Sequence, residues 1–300
     1  MAAQLKPISE QVIVITGASS GIGLATALMA AKRGAKVVLA ARSDETLADI
    51  VKKIQGDGGI AFAVCADVTV REDLEQIASQ AINTFGRIDT WVNNAGVAIY
   101  GKLEDVPELD SRKLFDINFW GVVNGSLIAL PYLKQSKGAL INLGSEVSEA
   151  VVPLQGMYSA SKHAVKGFTD SLRVEVVDVD KQDVSITLIQ PTAVDTPYPQ
   201  HARNYMEHEP KLPGPMIEAD RVAEAILEAA QKPKRDVKVG ARAVVDTLMG
   251  RFGGRLADKV AAKFADKQQY DEKPRDPAGT LEKPGQSGQV KGGGPNKSAA

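Results

Sequence analysis

The chain has 300 residues, of which 44% are hydrophobic and 24% charged, so it can form one large α/β domain or two small ones. A net charge of -1 lacks the basic excess typical of nucleic-acid-binding proteins. One cysteine excludes a disulfide framework, and one cysteine with three histidines at no paired spacing predicts no metal site. Because the first residues lack the apolar core of a secretory signal, we expect a cytoplasmic protein.

Short apolar runs alternate along the chain with helical patterns. We predict strands over 12–16, 36–40, 60–65, 88–92, 139–143, 184–190 and 236–239. We predict helices near 20–33, 44–55, 71–85, 108–135, 157–178 and 219–231. This alternation indicates an α/β domain over 1–240, with a doubly wound parallel sheet of about seven strands.

One uncharged run needs a separate interpretation. Residues 12–31 carry no charge, a length that would span a membrane. The glycines and hydroxyls at the centre of the run favour a strand, a loop and a helix instead, so we predict no transmembrane span.

Three later regions break the alternation. Residues 192–218 form a long proline-rich loop, which in a compact domain is commonly functional or disordered. Residues 241–270 predict a helical extension, interrupted at Gly253 and Gly254. From 271 to 300 the chain is rich in Pro and Gly with almost no large apolar residues, so we expect a disordered tail.

Basic residues lie near apolar ones within 241–268, at Arg251, Arg255 and Lys259. This pattern allows a helix at a membrane surface. Because nearby aspartates dilute the basic charge, we prefer a helix that packs on the domain or on another subunit.

A glycine loop, TGASSGIG at 16–23, joins the first predicted strand to the first helix. Such a loop lets the backbone approach a pyrophosphate, while the helix N-terminus supplies unpaired N–H groups and a positive dipole. A plain glycine turn is the alternative, which the position between strand and helix disfavours. The predicted contacts are Gly17, Ser19, Ser20, Gly21, Ile22 and Gly23.

The second predicted strand ends in alanines and is followed by Arg42. An acidic residue at this position would bind the ribose 2′-hydroxyl of NAD. A guanidinium instead matches a phosphate, so Arg42 favours NADP(H). A solvated surface arginine is the alternative.

Four motifs occur in register: TGASSGIG, Asp67-Val68, Asn93-Asn94-Ala95-Gly96, and Tyr158 four residues before Lys162. In this order and spacing the chain resembles the classical, compact branch of the short-chain dehydrogenase/reductase family over about residues 10 to 240. The resemblance implies a Rossmann-type fold, a nicotinamide cofactor, a small carbonyl or alcohol substrate, and a homodimer or homotetramer.

The Tyr158 and Lys162 pair predicts chemistry on its own, because residues four apart on a helix share one face. A nearby ammonium favours the phenolate and lowers the phenol pKa, so the tyrosine can exchange a proton with a carbonyl or alcohol oxygen. An ordinary helix pair is the alternative.

Ser145 follows strand 139–143, at the edge where open α/β sheets bind ligands. Its separation from Tyr158 matches the family's catalytic serine, and its hydroxyl should hydrogen-bond the reacting oxygen.

The remaining site residues rest on the resemblance. It implies that Asn118 holds a water beside Lys162, although a satisfied helix asparagine is the alternative. Asp67 and Val68 would contact adenine, and the ribose at that end would lie beside Asn94, Ala95 and Gly96. Lys162 would also bind the nicotinamide ribose next to Tyr158. The segment near the carboxamide comprises Pro191, Thr192, Val194 and Thr196, with Thr192 in place of the family's glycine.

The sequence therefore predicts an NADP(H)-dependent oxidoreductase whose catalytic residues are Asn118, Ser145, Tyr158 and Lys162. A non-catalytic NADP-binding regulatory protein on the same fold is one alternative. A membrane-peripheral reductase of a lipophilic substrate is the other.

Overall fold

The computed structural model describes residues 4–263, 265–285 and 288–293. Its strands are β1 (Val12–Thr16), β2 (Lys36–Ala41), β3 (Ile60–Cys65), β4 (Thr90–Asn93), β5 (Ile99–Tyr100), β6 (Ala139–Leu143), β7 (Ser185–Pro191), β8 (Val194–Asp195), β9 (Arg203–Asn204), β10 (Ile217–Glu218) and β11 (Asp236–Val239). Its helices are α1 (Gly21–Lys32), α2 (Asp44–Gly56), α3 (Arg71–Phe85), α4 (Glu108–Phe115), α5 (Gly121–Ser136), α6 (Gly156–Arg173), α7 (Tyr198–His201), α8 (Ala219–Ala229), α9 (Ala241–Phe252) and α10 (Gly254–Ala262).

Seven strands form one parallel sheet in the order β11-β7-β6-β4-β1-β2-β3. β1 pairs with β2 on one side, from Val12 opposite Lys36 to Thr16 opposite Ala40, and with β4 on the other. The chain order reverses between β1 and β4, so the carboxyl ends of these strands border the crevice where such sheets bind ligands. The predicted Rossmann-type α/β fold is confirmed.

Side chains alternate across β1 and build a core on each face of the sheet. Ile13 and Ile15 lie in a buried cluster with residues of α1 and α8, whereas Val12 and Val14 lie in a second cluster with residues of α3 and α5. Both faces of the strand are therefore buried, which explains its continuous apolar sequence.

Two apolar stretches are accounted for by this architecture. The uncharged run at 12–31 is β1, the glycine loop and α1. The predicted helix over 108–135 is divided into α4 and α5 by a π-helical turn, Asp116–Trp120. By length and composition Glu108–Ser136 could cross a membrane, but 56% of its most apolar window is buried within the fold, as in a core helix.

The C-terminal segment differs most from the sequence prediction. Helices α9 and α10 meet at Gly253, where an interruption was predicted. Beyond them, main-chain bonds join Lys211 N–H to the Gln268 carbonyl at 2.9 Å and Tyr270 N–H to the Glu209 carbonyl at 2.8 Å. Residues 271–285 and 288–293 make further main-chain hydrogen bonds with the domain, and residues 286, 287 and 294–300 of the predicted disordered tail lie outside the described residues. Composition did not predict this arrangement because main-chain hydrogen bonds, to which any residue type contributes, hold much of the segment.

Candidate active site

A cavity of about 870 Å³ opens at the carboxyl ends of the central strands. Most of the residues predicted to bind cofactor or substrate line it: Gly17, Ser19, Ser20, Gly21, Ile22, Arg42, Asp67, Val68, Asn94, Ala95, Gly96, Ser145, Tyr158, Lys162, Pro191, Thr192, Val194 and Thr196. Gly23 and Asn118 lie behind this lining. The tertiary structure thus brings predicted residues from distant parts of the sequence into one cavity.

The glycine loop is tied to the segment that follows β4. Gly17 has φ +65°, and a Cβ added there would lie 2.7 Å from the Ala95 Cα, so a side chain would strain this turn and push the two segments apart. Asn94 Nδ2 donates to the Thr16 carbonyl at 2.9 Å and to the Gly17 carbonyl at 3.1 Å. A Cβ at Gly23 would lie 2.2 Å from the Gly17 oxygen, so Gly23 shapes the loop from behind.

Arg42 lies at the end of β2, on the rim of the cavity. Its guanidinium donates to the main-chain carbonyls of Thr280 and Leu281, the latter at 3.3 Å. Nη1 also lies 4.0 Å from Asp67 Oδ2. The cation is therefore shared between the C-terminal segment and a carboxylate predicted to lie beside adenine.

Tyr158 is half-buried near the start of α6, and its hydroxyl is hydrogen-bonded to Ser145 and Tyr198. Burial raises the pKa of Tyr158, the two hydrogen bonds oppose that rise, and the nearby Glu146 carboxylate adds to it. The pKa is raised overall, whereas the sequence argument expected the lysine to lower it. The difference arises because the loss of water around the phenol outweighs the hydrogen bonds.

Lys162 is buried one helical turn beyond Tyr158, with 5% of its surface exposed. Its Nζ donates to the Leu143 carbonyl at 2.8 Å and lies 5.7 Å from the centroid of the Tyr158 ring. Burial lowers the pKa of Lys162 to about 8. The lysine is thus a buried amine whose charge is costly and whose position is fixed by the end of β6.

Asn118 lies in the π-helical turn between α4 and α5, and it is fully buried. Its Oδ1 accepts from Val97 N–H at 2.8 Å, and its Nδ2 donates to the Val97 carbonyl at 3.0 Å and to Ser161 Oγ at 3.2 Å. A Cβ at Gly96 would lie 3.4 Å from Asn118 Oδ1 and 3.8 Å from Lys162 Nζ. The side chain therefore holds the segment between β4 and β5 against α6, beside the lysine.

Three polar residues near Tyr158 were missed by the sequence analysis. The Tyr198 hydroxyl lies 3.3 Å from Gln155 Oε1, Gln155 Nε2 donates to Gln268 Oε1 at 2.7 Å, and Gln268 Nε2 donates to the Pro153 carbonyl at 2.6 Å. This chain of side chains links the Tyr158 phenol to the C-terminal extension. The only sequence signal was the proline-rich loop that carries Tyr198.

The substrate end of the cavity has two walls. Glu146, Val152 and Tyr198 belong to the sheet domain, whereas Val245, Met249 and Val260 come from α9 and α10. The helical extension predicted over 241–270 therefore forms part of the candidate site. This wall combines apolar side chains with the charged residues Arg242, Arg255 and Asp258.

The cavity has the features that a nicotinamide cofactor requires. Its volume lies within the ~300–1,000 Å³ of typical ligand sites. Thr192 Oγ1 is buried in the segment predicted to lie near the carboxamide and has no hydrogen-bond partner among the described residues. The glycine at position 96 leaves open the space beside Lys162. Across the described ranges no group of three or more His, Cys, Asp or Glu is placed to hold a metal ion.

The comparisons with known proteins decide the family. A family model described as short chain dehydrogenase matches residues 11–207. The chain belongs to this family. It is 44% identical over 277 residues to the uncharacterized oxidoreductase YxnA of Bacillus subtilis, covering 91% of this chain and 78% of that protein.

Two solved structures give the same assignment for this short-chain dehydrogenase. A short-chain dehydrogenase/reductase from Burkholderia phymatum in complex with NAD is 26% identical, with a TM-score of 0.75 and coverage of 82% of this chain and 94% of that one. An alcohol dehydrogenase from Thermococcus sibiricus complexed with 5-hydroxy-NADP is 28% identical, with a TM-score of 0.67 and coverage of 76% and 94%. The protein is an oxidoreductase with a carbonyl/alcohol type of reaction.

Proposed function

We propose that this protein is an NADP(H)-dependent oxidoreductase that interconverts a carbonyl and an alcohol, with Tyr158 as general acid and base. The observation that carries the proposal is that Ser145, Tyr158 and Lys162 line one cavity, with Lys162 Nζ 5.7 Å from the centroid of the Tyr158 ring. These groups converge on one point where a substrate oxygen could accept two hydrogen bonds.

Each group then has a distinct task. The bound nicotinamide would supply or accept the hydride. In reduction Tyr158 donates its proton to the substrate oxygen, and in oxidation it accepts that proton. Ser145 donates a hydrogen bond to the same oxygen as negative charge develops. The Lys162 ammonium beside the ring stabilises the phenolate that reduction leaves behind.

Asn118 acts in this proposal as a positioning residue. Its hydrogen bonds hold Val97 and Ser161, so Gly96 and Lys162 keep a fixed separation. The relay water that the family resemblance implies beside Lys162 remains an expectation. A substitution at Asn118 is expected to disturb both the position of the lysine and the resupply of its proton.

Arg42 supports NADP(H) over NAD(H). The guanidinium has five N–H donors, and the C-terminal segment uses only part of this capacity. The remaining donors can meet a 2′-phosphate at the end of β2, where an acidic residue would repel it. The relatives with bound cofactor do not decide this point, because one holds NAD and the other holds 5-hydroxy-NADP.

We further propose a cytoplasmic homodimer or homotetramer. Large apolar side chains are exposed on and just beyond the helices predicted over 108–135 and 157–178: Leu109, Trp120 and Leu127 on the α4–α5 stretch, and Val174 and Val179 after α6. Such exposure is typical of surfaces that another subunit covers. Light scattering of the purified protein tests the oligomeric state, and co-sedimentation with vesicles tests the membrane-peripheral alternative.

A panel of carbonyls and alcohols, followed through the absorbance of the reduced nicotinamide, tests the function. We expect turnover with NADPH and NADP, and loss of that turnover in Tyr158→Phe. Cofactor binding with no turnover on a broad panel would instead favour the non-catalytic regulatory protein.

A further inference from the structure

Residues 276–285 and 288–293 of the C-terminal segment lie at the mouth of the cavity and bond to two of its rims. On one rim, Arg42 donates to the Thr280 and Leu281 carbonyls, and Gly21 N–H donates to the Gln289 carbonyl at 2.9 Å. On the other rim, Thr280 N–H donates to the His201 carbonyl at 2.8 Å, and Gln200 Nε2 donates to the Gly293 carbonyl at 2.8 Å. The described residues 276–285 and 288–293 are called the strap below.

Side-chain burial also holds the strap in place. Leu281 is 1% exposed and belongs to the buried cluster of Val97, Ile99, Leu114 and Ile117. Gly292 packs so closely on the loop after β7 that an added Cβ would lie 2.6 Å from the Thr196 carbonyl oxygen. Lys291 forms an ion pair with Glu218 at 2.8 Å. Apolar burial, backbone packing and charge therefore contribute at separate points.

The space beneath the strap stays open. With the strap in place, the cavity of about 870 Å³ still extends from the glycine loop to Tyr158, and its lining includes Thr280, Pro284 and Gly285 of the strap itself. The strap lines this space without filling it, which leaves room for a ligand between the sheet and the strap. Two of its anchor points, Gly21 N–H and Arg42, are also predicted cofactor contacts, so a bound cofactor shares or replaces those hydrogen bonds while Leu281 and Gly292 keep the strap in place.

We propose that the strap closes over the bound nicotinamide cofactor, so that strap docking and cofactor binding stabilise each other. The inference rests on the proposed function, since it takes the ligand of this cavity to be a nicotinamide cofactor. By thermodynamic linkage, the factor by which a docked strap increases cofactor affinity equals the factor by which bound cofactor favours strap docking. Because the strap must open for release, it slows cofactor dissociation more than it changes association.

Three variants of the full-length chain test the proposal. Gly292→Val drives a side chain into the Thr196 backbone, and Leu281→Asp places a charge in an apolar cluster, so both should detach the strap. Gly293→Val is the matched control, because an added Cβ at Gly293 meets no atom within 4 Å. Melting temperatures of all three variants show whether the domain stays folded.

The first readout is the dissociation constant of NADPH and of NADH, measured by titration. Gly292→Val and Leu281→Asp should raise both constants by a similar factor of about ten or more, since burial of a leucine is worth about this much. Gly293→Val should leave them within about twofold. Unchanged constants in the first two variants overturn the proposal, and lower constants show that the segment competes with the cofactor.

The second readout follows the strap itself. Saturating NADPH should slow trypsin cleavage after Lys291, which is exposed in the strap, and faster cleavage with NADPH would contradict a closing strap.

The strap proposal and the proposed function can be rejected separately. If the wild type binds cofactor and all three variants bind it equally well, the proposed role of the strap is rejected and the proposed function stands. If the wild type binds no nicotinamide cofactor, the proposed function fails and the strap over a cofactor fails with it.

Discussion

The Tyr198 ring packs edge-on against the Tyr158 ring, with centroids 5.5 Å apart and planes inclined by 61°, and the two hydroxyls are hydrogen-bonded. This bond lowers the pKa of Tyr158 against the larger effect of burial. Tyr198→Phe keeps the ring contact and removes the bond, so the pKa of Tyr158 should rise. In alcohol oxidation, where Tyr158 must be deprotonated, the rising limb of the pH–rate profile should move to higher pH.

The matched measurement is carbonyl reduction by the same variant. Reduction needs protonated Tyr158, so a higher pKa should leave its rate near neutral pH almost unchanged. Equal losses in both directions at every pH would mean that Tyr198 only shapes the substrate end of the cavity.

Tyr158→Phe should remove turnover and keep cofactor binding. The ring still packs, but the transferable proton is lost, which costs about 10²–10⁴-fold in kcat. Steady-state rates and cofactor titrations of the same preparation check both parts. A kcat near that of the wild type would contradict the catalytic assignment.

Lys162 should make stability depend on pH. Burial lowers its pKa to about 8 from an ordinary 10.5, so between these pH values the unfolded chain binds a proton that the folded chain has lost. The free energy of unfolding therefore rises with pH in this window, by about 1–3 kcal/mol from this group. Denaturant unfolding at pH 7.5 and pH 10 should show this rise in the wild type and a smaller one in Lys162→Met. Parallel pH dependence in the two proteins would mean that the lysine is not desolvated.

Arg42→Ala should weaken both cofactors, but NADPH more. The variant loses two hydrogen bonds to the strap, which affects NADH and NADPH alike, and it loses the partner of the 2′-phosphate. Loss of the phosphate contact should raise the dissociation constant of NADPH by a further factor of about 10 to 150, as expected for charge-assisted hydrogen bonds. Dissociation constants of both cofactors must be compared at one salt concentration, because salt screens the contact.

Gly292→Val supplies the reference for this comparison, since it detaches the strap and keeps the guanidinium. An equal loss of NADH and NADPH in Arg42→Ala would show that Arg42 only anchors the strap. A wild-type preference for NADH would also reject the phosphate role.

Periodicity and local motifs predicted the sheet and most of its helices, because those signals lie within short stretches of chain. The apolar run at 12–16 and the glycines after it specify a buried strand and a turn whatever surrounds them. The motif spacing likewise identified Ser145, Tyr158 and Lys162, which do line one cavity.

Composition did not predict the contacts of the C-terminal segment, because it measures only how much apolar surface a stretch can bury on its own. Leu281 becomes buried within a cluster formed by residues between 97 and 117, and Arg42 meets carbonyls more than 230 positions away in the chain. No local pattern records such partners.

The same limit applies to the electrostatics of the site. From its sequence alone the protein was predicted to have a doubly wound sheet, a glycine loop and a Tyr–Lys pair on one helix face, since each follows from neighbours along the chain. Only the tertiary structure decided that burial raises the pKa of Tyr158, that Tyr198 hydrogen-bonds it, and that described residues near the C-terminus bond to the rims of the cavity. These properties depend on the exclusion of water and on contacts between remote segments, and both arise only when the chain has folded.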